Sequence, residues 1–336
     1  MIDEGHAETE RLIADMTRKI KLEYQEAFTT IEDRLNEFLA EFAVEEKEMK
    51  QKLKDGKITQ QKYKKWREEQ LMTRHHWEAM RDTIAADIHN ANEIARSIVQ
   101  GYLPEAYAVN MNYSTYLVEH GLNVQTNFTL YNRNTVEHLL RTDPKLIPNY
   151  NSSLSALKDI AYQKRRMQSI ITQAVLTGES IPRIAKHIAD DLKISNEAST
   201  IKYARTAMTS AQNAGREDGY ARAERMGIKL KRTWLATLDG RTRHEHRQLD
   251  GQTVELNEPF RVDPTDPESD EIMYPGDPSA PGYLVWNCRC RTIPALEGNE
   301  IDLSDISLRH NRKLGDMTYE QWKEALKKDG GTDNGD

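Results

Sequence analysis

Residues 233–251 read TWLATLDGRTRHEHRQLDG, and residues 287–293 read NCRCRTI. Upstream of this stretch the chain has helical periodicity. From Gly227 onward the pattern changes. Thr233–Thr237, Thr253–Leu256 and Cys290–Ile293 are short runs of β-forming residues, and Pro, Gly and Asp crowd the loop from Pro259 to Gly282. Helices followed by short strands predict a small α+β unit in the C-terminal half.

The helix leading into it is expected over Asn196 to Met226, stopped by Gly227. It places Arg205, Thr209, Gln212 and Arg216 on one polar face, with Ala204, Ala207, Met208 and Ala211 on a small apolar side. Further upstream, Ile181, Ile184, Ile188 and Leu192 line a helix opened by Ser180-Ile181-Pro182, with Pro182 in a tolerated first-turn position. Ile160, Met167, Ile170, Ile171 and Val175 line the helix before that, broken at Gly178. It begins near Ser153, after the Asp143-Pro144 and Pro148-Asn149 linker.

The first hundred residues are helical too. Tyr24, Phe28, Ile31, Leu35, Phe38 and Phe42 recur at spacings of four and three, and Ile13, Met16 and Ile20 extend the seam upstream. A second seam runs through Trp77, Ile84, Ile88, Ala91, Ala95 and Ile98. Asp55-Gly56-Lys57-Ile58-Thr59 separates the two, with Thr59 as an N-cap. Neither seam can stay wet, so the two helices are expected to pair as an antiparallel hairpin or to pack on another subunit. Residues 102–150 are less regular. Asn110, Asn112, Tyr113 and Tyr116 precede or open a helix ended by Gly121, and Thr126–Tyr131 is strand-like. At the other end, Thr318–Lys328 is an amphipathic helix with Trp322 and Leu326, and the tail from Asp329 is expected to be disordered. The fold class is therefore α+β and mostly α. The division is a helical region over 1–145, a mixed domain over 146–310 and a C-terminal helix and tail over 311–336.

Composition narrows the classes. The 336 residues are 30% charged and 38% hydrophobic, with few aromatics, which suits a helix-rich protein with much exposed surface. No apolar run approaches the roughly 20 residues of a membrane span. The acidic start, Met1 to His6, carries no apolar signal core, so synthesis and use in a cytoplasm-like compartment is expected. The two cysteines, Cys288 and Cys290, are one residue apart, too close for an unstrained bridge. Net charge is −7, which argues against a general DNA coat. Residues 201–247 nonetheless hold eleven Lys/Arg against five Asp/Glu, and residues 248–280 hold one Arg against nine Asp/Glu. That basic block makes Lys229, Lys231 and Arg232 candidate DNA-phosphate contacts, although a solvated face with internal ion pairs explains them equally well. Lys164-Arg165-Arg166 is open to the same two readings.

Read in order, Arg205-Thr206, Asn213, Gly215-Arg216, Trp234, Asp239, Arg241-Thr242-Arg243, His246, Asp250-Gly251, a proline-rich loop and Asn287-Cys288-Arg289-Cys290 resemble the phage Mu F-like head-morphogenesis domain of phage minor head proteins. The likeness covers roughly residues 155–295. Each piece alone is weak, and the ordered string is fairly specific. Ala108-Val109-Asn110, Tyr113 and Thr129-Leu130-Tyr131 add a looser resemblance to minor capsid proteins of phages of Gram-positive hosts. The resemblance implies a virion protein present in few copies, made in the host cytoplasm and associated with the portal protein and other head components. It also implies a part in prohead assembly, DNA packaging or ejection. Packaged DNA and self-association through the N-terminal helices are further candidate interactions.

One departure from the family matters. Many relatives carry Cys-x-x-Cys where this chain reads Arg243-His244-Glu245-His246. Zinc could still take His246, Cys288 and Cys290, with His244 or Asp239 as a fourth ligand. Spacing favours the plainer reading, in which His246 hydrogen-bonds with Asp239 and Asp250 and the cysteines are small buried residues. His244 and His246 are two apart and lack the four-residue spacing of a helical metalloprotease site. Arg241, Arg243, His246 and Asp250 could form an acid/base cluster, but no nucleophile with a partnered base stands out. The expectation is thus a structural motif cluster and an interaction protein without a cofactor. The alternatives are a toxin-like or nucleic-acid- or protein-modifying enzyme, and a zinc module.

Overall fold

The seam from Ile13 to Phe42 lies on a single helix, α1 (Glu4–Lys54), in a computed structural model that describes residues 3–72, 75–123, 126, 128–148, 160–177, 179, 181–296 and 317–330. Ile13, Met16, Ile20, Tyr24, Phe28, Ile31, Leu35 and Phe42 are all buried, as an apolar stripe at helical spacing requires. Gly56 takes φ +71° and lets the Lys57 N–H reach back to the Lys52 carbonyl at 2.8 Å, closing the helix. Thr59 caps α2 (Gln60–Met72) by accepting from the Lys62 N–H at 3.2 Å.

The next helix, α3 (His75–Leu122), is far longer than the sequence suggests. Asn110, Asn112, Tyr113 and Tyr116 were expected near a helix start, yet they lie well inside it, and Pro104 is accommodated within it. After α4 (Arg133–Thr142) come α5 (Ile160–Thr177) and α6 (Ile181–Arg225). The two helices expected over 181–192 and 196–226 are thus one. Asn196 starts nothing. It is buried, its amide donates to the Leu192 carbonyl at 2.7 Å, and the Gln163 amide donates to it at 2.8 Å. No Gly or Pro stands between Leu192 and Asn196 to break the helix.

The remaining elements are β1 (Leu230–Leu235), α7 (His244–Leu249), β2 (Thr253–Glu255), β3 (Phe260–Arg261), β4 (Glu271–Ile272), α8 (Gly282–Val285), β5 (Arg291–Leu296) and α9 (Tyr319–Gly330). All three expected strands exist. They form an antiparallel sheet in the order β2-β1-β5, with Lys231 opposite Glu255 and Thr233 opposite both Thr253 and Ile293. The loop from Pro259 to Gly282 hides a short hairpin, β3 with β4. In Thr126–Tyr131 the described residues form no strand, only an isolated bridge at Thr126. Instead the Asn112 amide accepts from the Tyr131 N–H at 2.9 Å and donates to its carbonyl at 2.7 Å, replacing a neighbouring strand. The side chain of Trp77, Ser153, Asn149, Gly178, Ser180, the side chain of Val175 and the tail beyond Gly330 lie outside the described residues.

The chain divides into two compact units that interleave along the sequence, and α1, α3 and α6 contribute to both. The first unit comprises residues 17–98 and 152–201. In it α1 and α3 run antiparallel: the Tyr24 hydroxyl donates to Asn92 at 2.5 Å, and Arg34 pairs with Asp87 further along. The expected hairpin is therefore present, with α6 added to it, because the Tyr24 hydroxyl also meets the Thr200 hydroxyl at 2.7 Å. Arg166 pairs bidentately with Asp191, and Lys164 with Asp82, so two members of the 164–166 basic run are engaged within the bundle.

The second unit comprises residues 1–16, 99–151 and 202–336. Here α3 and α6 approach closely through glycine: a Cβ on Gly215 would lie 2.4 Å from the Tyr107 carbonyl oxygen. Trp322 of α9 stacks on Phe128 and donates from its indole N–H to Glu119 at 2.6 Å. A separate core gathers Trp234, Leu249, Phe260, Ile272, Leu284, Val285, Cys288 and Cys290 beside the three-stranded sheet. Among the described residues no helix is long and apolar enough to cross a membrane.

Candidate functional site

The polar face of α6 is where the motif residues begin to meet. Its side chains reach the backbone of residues 287–292. Thr206 accepts from the Asn287 N–H at 2.8 Å, and Thr209 donates to the Cys288 carbonyl at 2.7 Å. The Asn213 amide donates to the Cys290 carbonyl and accepts from the Thr292 N–H, both at 3.3 Å. Arg216 donates to the Thr292 carbonyl at 2.8 Å. Asn287 sits at φ +56° as the chain turns into this segment, a conformation asparagine tolerates better than most residues. Four helical side chains thus do for the 287–292 backbone what a neighbouring strand would do.

Arg216 is fully buried and is the hub of this arrangement. It also bonds Asn110 at 2.9 Å and grips the carboxylate of Asp3 at 2.7 and 3.0 Å. Arg291 adds a third contact to Asp3 at 2.7 Å. Burial alone would raise the Asp3 carboxyl, but the two guanidinium groups outweigh it and bring it down to about 2. Arg205, by contrast, makes a longer pair with Glu10 at 3.3 Å.

Asp239 is held by a bidentate pair with Arg289 at 2.7 and 2.8 Å and accepts the Arg241 N–H at 2.8 Å. The Arg289 hydrogen bonds keep its carboxyl well below the usual carboxylate range. Asp250 accepts the Ala236 N–H at 2.8 Å. Gly251, at φ +80°, donates to the Trp234 carbonyl at 2.9 Å. Arg243 reaches the Trp286 carbonyl at 2.5 Å. Arg216, Asp239, Arg243, Asp250 and Gly251 thus each tie a turn or strand backbone into one cluster, whereas Arg205 stands at its edge.

His246 departs from expectation. It meets neither Asp239, which Arg289 engages, nor Asp250, which faces the Ala236 amide. It is buried on α7 with its ring 6.0 Å from that of Trp234. Its Nε2 is 3.0 Å from the Leu284 carbonyl, while its Nδ1 faces Cys290 Sγ at 3.3 Å and Cys288 Sγ at 3.6 Å. Both thiols are free and buried. Burial pushes the Cys288 thiol up, whereas the hydrogen bond from Cys288 brings the Cys290 thiol down. The three side chains line one wall of a cleft of about 200 Å³, whose other walls include Arg205, Arg241, Arg243 and Arg289. His244 is exposed and lies outside this trio.

The candidate DNA contacts divide. Lys229 is exposed, and Lys231 faces Glu255 across the sheet at 3.1 Å. Arg232 is not a surface residue: it is 1% exposed, pairs with Glu217 and donates to the Glu258 carbonyl at 2.8 Å. The burial of β1 alternates, and Arg232 falls on the inward side with Leu230 and Trp234. Sequence reading missed Asp3 and Glu217 and named Asn110 without its role; the three supply the partners of Arg216 and Arg232. Thr206 and Asn213 were legible as the i−3 and i+4 neighbours of Thr209 on one helix face.

The family described as Phage Mu protein F like protein matches residues 165–293. Over 164 residues the chain is 27% identical to minor head protein GP7 of Bacillus phage SPP1, covering 47% of this chain and 49% of that one. Over 208 residues it is 24% identical to the NAD(+)–arginine ADP-ribosyltransferase EFV of Enterococcus faecalis, covering 62% of this chain and 40% of that one. An uncharacterized protein of Haemophilus influenzae is 32% identical over 166 residues, 48% of this chain and 32% of its own length. The chain thus spans half or less of the length of these curated relatives. No solved structure matches it significantly.

Proposed function

We propose, from the membership of residues 165–293 in the phage Mu protein F-like family, that this chain is a minor head protein of a tailed bacteriophage. The likeness to the SPP1 minor head protein supports the reading. It acts through surfaces rather than through a reaction. The observation that carries this is the use of the signature side chains. Thr206, Asn213, Arg216, Asp239, Asp250 and Arg289 bond backbone groups or one another. That pattern suits a scaffold that holds one shape, because an acid, base or nucleophile needs a group turned toward a substrate.

In this reading the chain enters the prohead, resides in the virion head near the portal, and takes part in assembly and in packaging or delivery of DNA. The helical region over residues 1–145 supplies the docking surface for the portal protein or other head components. Of the candidate DNA contacts, the exposed Lys229 supports a meeting with packaged DNA more than Lys231, which is half-buried and paired with Glu255. The activity named for the E. faecalis relative remains that protein's own, since this chain spans 40% of it.

The test is co-purification with the portal protein of the same phage. The full chain is expected to be retained by immobilised portal protein, and combined charge-reversing substitutions of exposed residues on α1, α2 and α3 are expected to weaken retention. Full retention by a chain carrying those substitutions would remove the docking assignment. Failure of the unaltered chain to bind either portal or proheads would remove the head-protein reading itself.

A further inference from the structure

We propose that His246, Cys288 and Cys290 form a zinc-binding site, with the fourth coordination position open to the cleft. The inference is independent of the head-protein reading. The three ligand atoms converge: Nδ1 of His246 stands 3.3 and 3.6 Å from the two sulfurs, and all three atoms lie within 4.8 Å of one another. A tetrahedral zinc with bonds of about 2.0 Å to nitrogen and about 2.3 Å to sulfur sets nitrogen–sulfur edges of roughly 3.6 Å. The Cys288 edge of the trio has that length and the Cys290 edge is 0.3 Å shorter.

The orientation of the imidazole gives a second, separate observation. The Leu284 carbonyl can only accept a hydrogen bond, so the Nε2 facing it at 3.0 Å carries the proton. In the neutral ring Nδ1 is then unprotonated, and its lone pair points at the two sulfurs. A carbonyl that fixes the tautomer from the far side of the ring is the usual outer partner of a metal-ligating histidine. The Cys290 N–H donates to Cys288 Sγ at 3.3 Å, so the backbone supports that sulfur from outside the trio.

Two thiolates and one imidazole select a borderline-soft cation, and zinc is the commonest such ion for this donor set. Binding displaces the two thiol protons and releases them to solvent, leaving a site with no net charge. Because His246, Cys288 and Cys290 all line the cleft, a water molecule from the cleft completes the tetrahedron. His246 comes from α7, and the cysteines from the segment entering β5. The ion therefore links two elements that are far apart in sequence and adds to folding stability.

The experiment uses the full, tag-free chain, freed of metal under reducing conditions and titrated with Co²⁺ as a spectroscopic substitute for zinc. The expected result is one equivalent bound, with the visible bands of a tetrahedral site and a thiolate-to-cobalt charge-transfer band, both abolished by one equivalent of Zn²⁺. Cys288 and Cys290 are the chain's two cysteines, so a charge-transfer band in the unaltered protein assigns the sulfur ligands without any variant. Cys288→Ser is expected to lose at least tenfold in affinity. Absence of the charge-transfer band in the unaltered chain would overturn the proposal, as would equal affinity in a folded Cys288→Ser chain.

Discussion

Arg216, inside α6, holds the carboxylate of Asp3 with both terminal nitrogens, at 2.7 and 3.0 Å, across 213 residues of sequence. The pair stands against the strand backbone at Thr292 and the Asn110 amide. Removing one partner of such a buried pair leaves the other charge without compensation, at a cost of ~3–5 kcal/mol. Arg216→Ala is therefore expected to lower stability by about that amount in denaturant unfolding, with a larger loss than Arg205→Ala. Arg205 is partly exposed, and its pair with Glu10 is long.

The same pair sets an acid limb. The Asp3 carboxyl lies at about 2 in the folded chain against 3.8 for the ordinary group. A depressed folded value contributes stability that is complete above the unfolded value and is lost as pH falls through the folded one. The contribution, on the order of 2 kcal/mol, should fade between about pH 4 and pH 2. Asp3→Asn is expected to be less stable at neutral pH and to show a flatter stability profile in that window. An unchanged profile would show that Asp3 does not titrate against Arg216.

Gly215 marks the approach of α3 and α6. Its missing Cβ leaves room for the Tyr107 carbonyl, 2.4 Å from where that atom would stand. Gly215→Ala must push the helices apart even though alanine is the better helix former, so thermal unfolding should report a loss of ~1–3 kcal/mol. Gly240→Ala, where a Cβ would meet nothing within 4 Å, is the matched control and should stay close to the unaltered chain.

Arg232 and Lys229 separate structure from surface. Arg232→Ala strands Glu217, whose carboxyl burial already pushes up against the pull of Arg232, and is expected to cost ~3 kcal/mol or more. Its retention on immobilised DNA at a temperature where it is folded should match that of the unaltered chain. Lys229→Ala should leave stability within about 0.5 kcal/mol, and lower DNA retention if the basic block meets phosphate.

Much of this architecture was legible in the sequence because it is written in local periodicity. The 13–42 seam, the Gly56 stop, the Thr59 cap and the three strands of the C-terminal sheet follow from spacing and turn chemistry. The parity of β1 could have placed Arg232 inward, since it shares a face with Trp234. The lengths of α3 and α6 were not legible. Pro104 and Asn196 look like boundaries by propensity, and packing overrides them. Asp3 gives no local sign of its partner, because its role depends on a helix more than two hundred residues away. The His246 trio was legible as residue types and not as an arrangement: the segment from 247 to 287 intervenes, and only the fold shows that Asp239 and Asp250 are engaged elsewhere.

Quantitative mass spectrometry of virions and DNA-free proheads purified from cells that express this chain's gene is the decisive test of the proposed head role. The chain is expected in both particles, at a few copies per head, with fewer filled heads when its gene is deleted. Absence of the chain from both particles, with normal yields of filled heads after deletion, would contradict it.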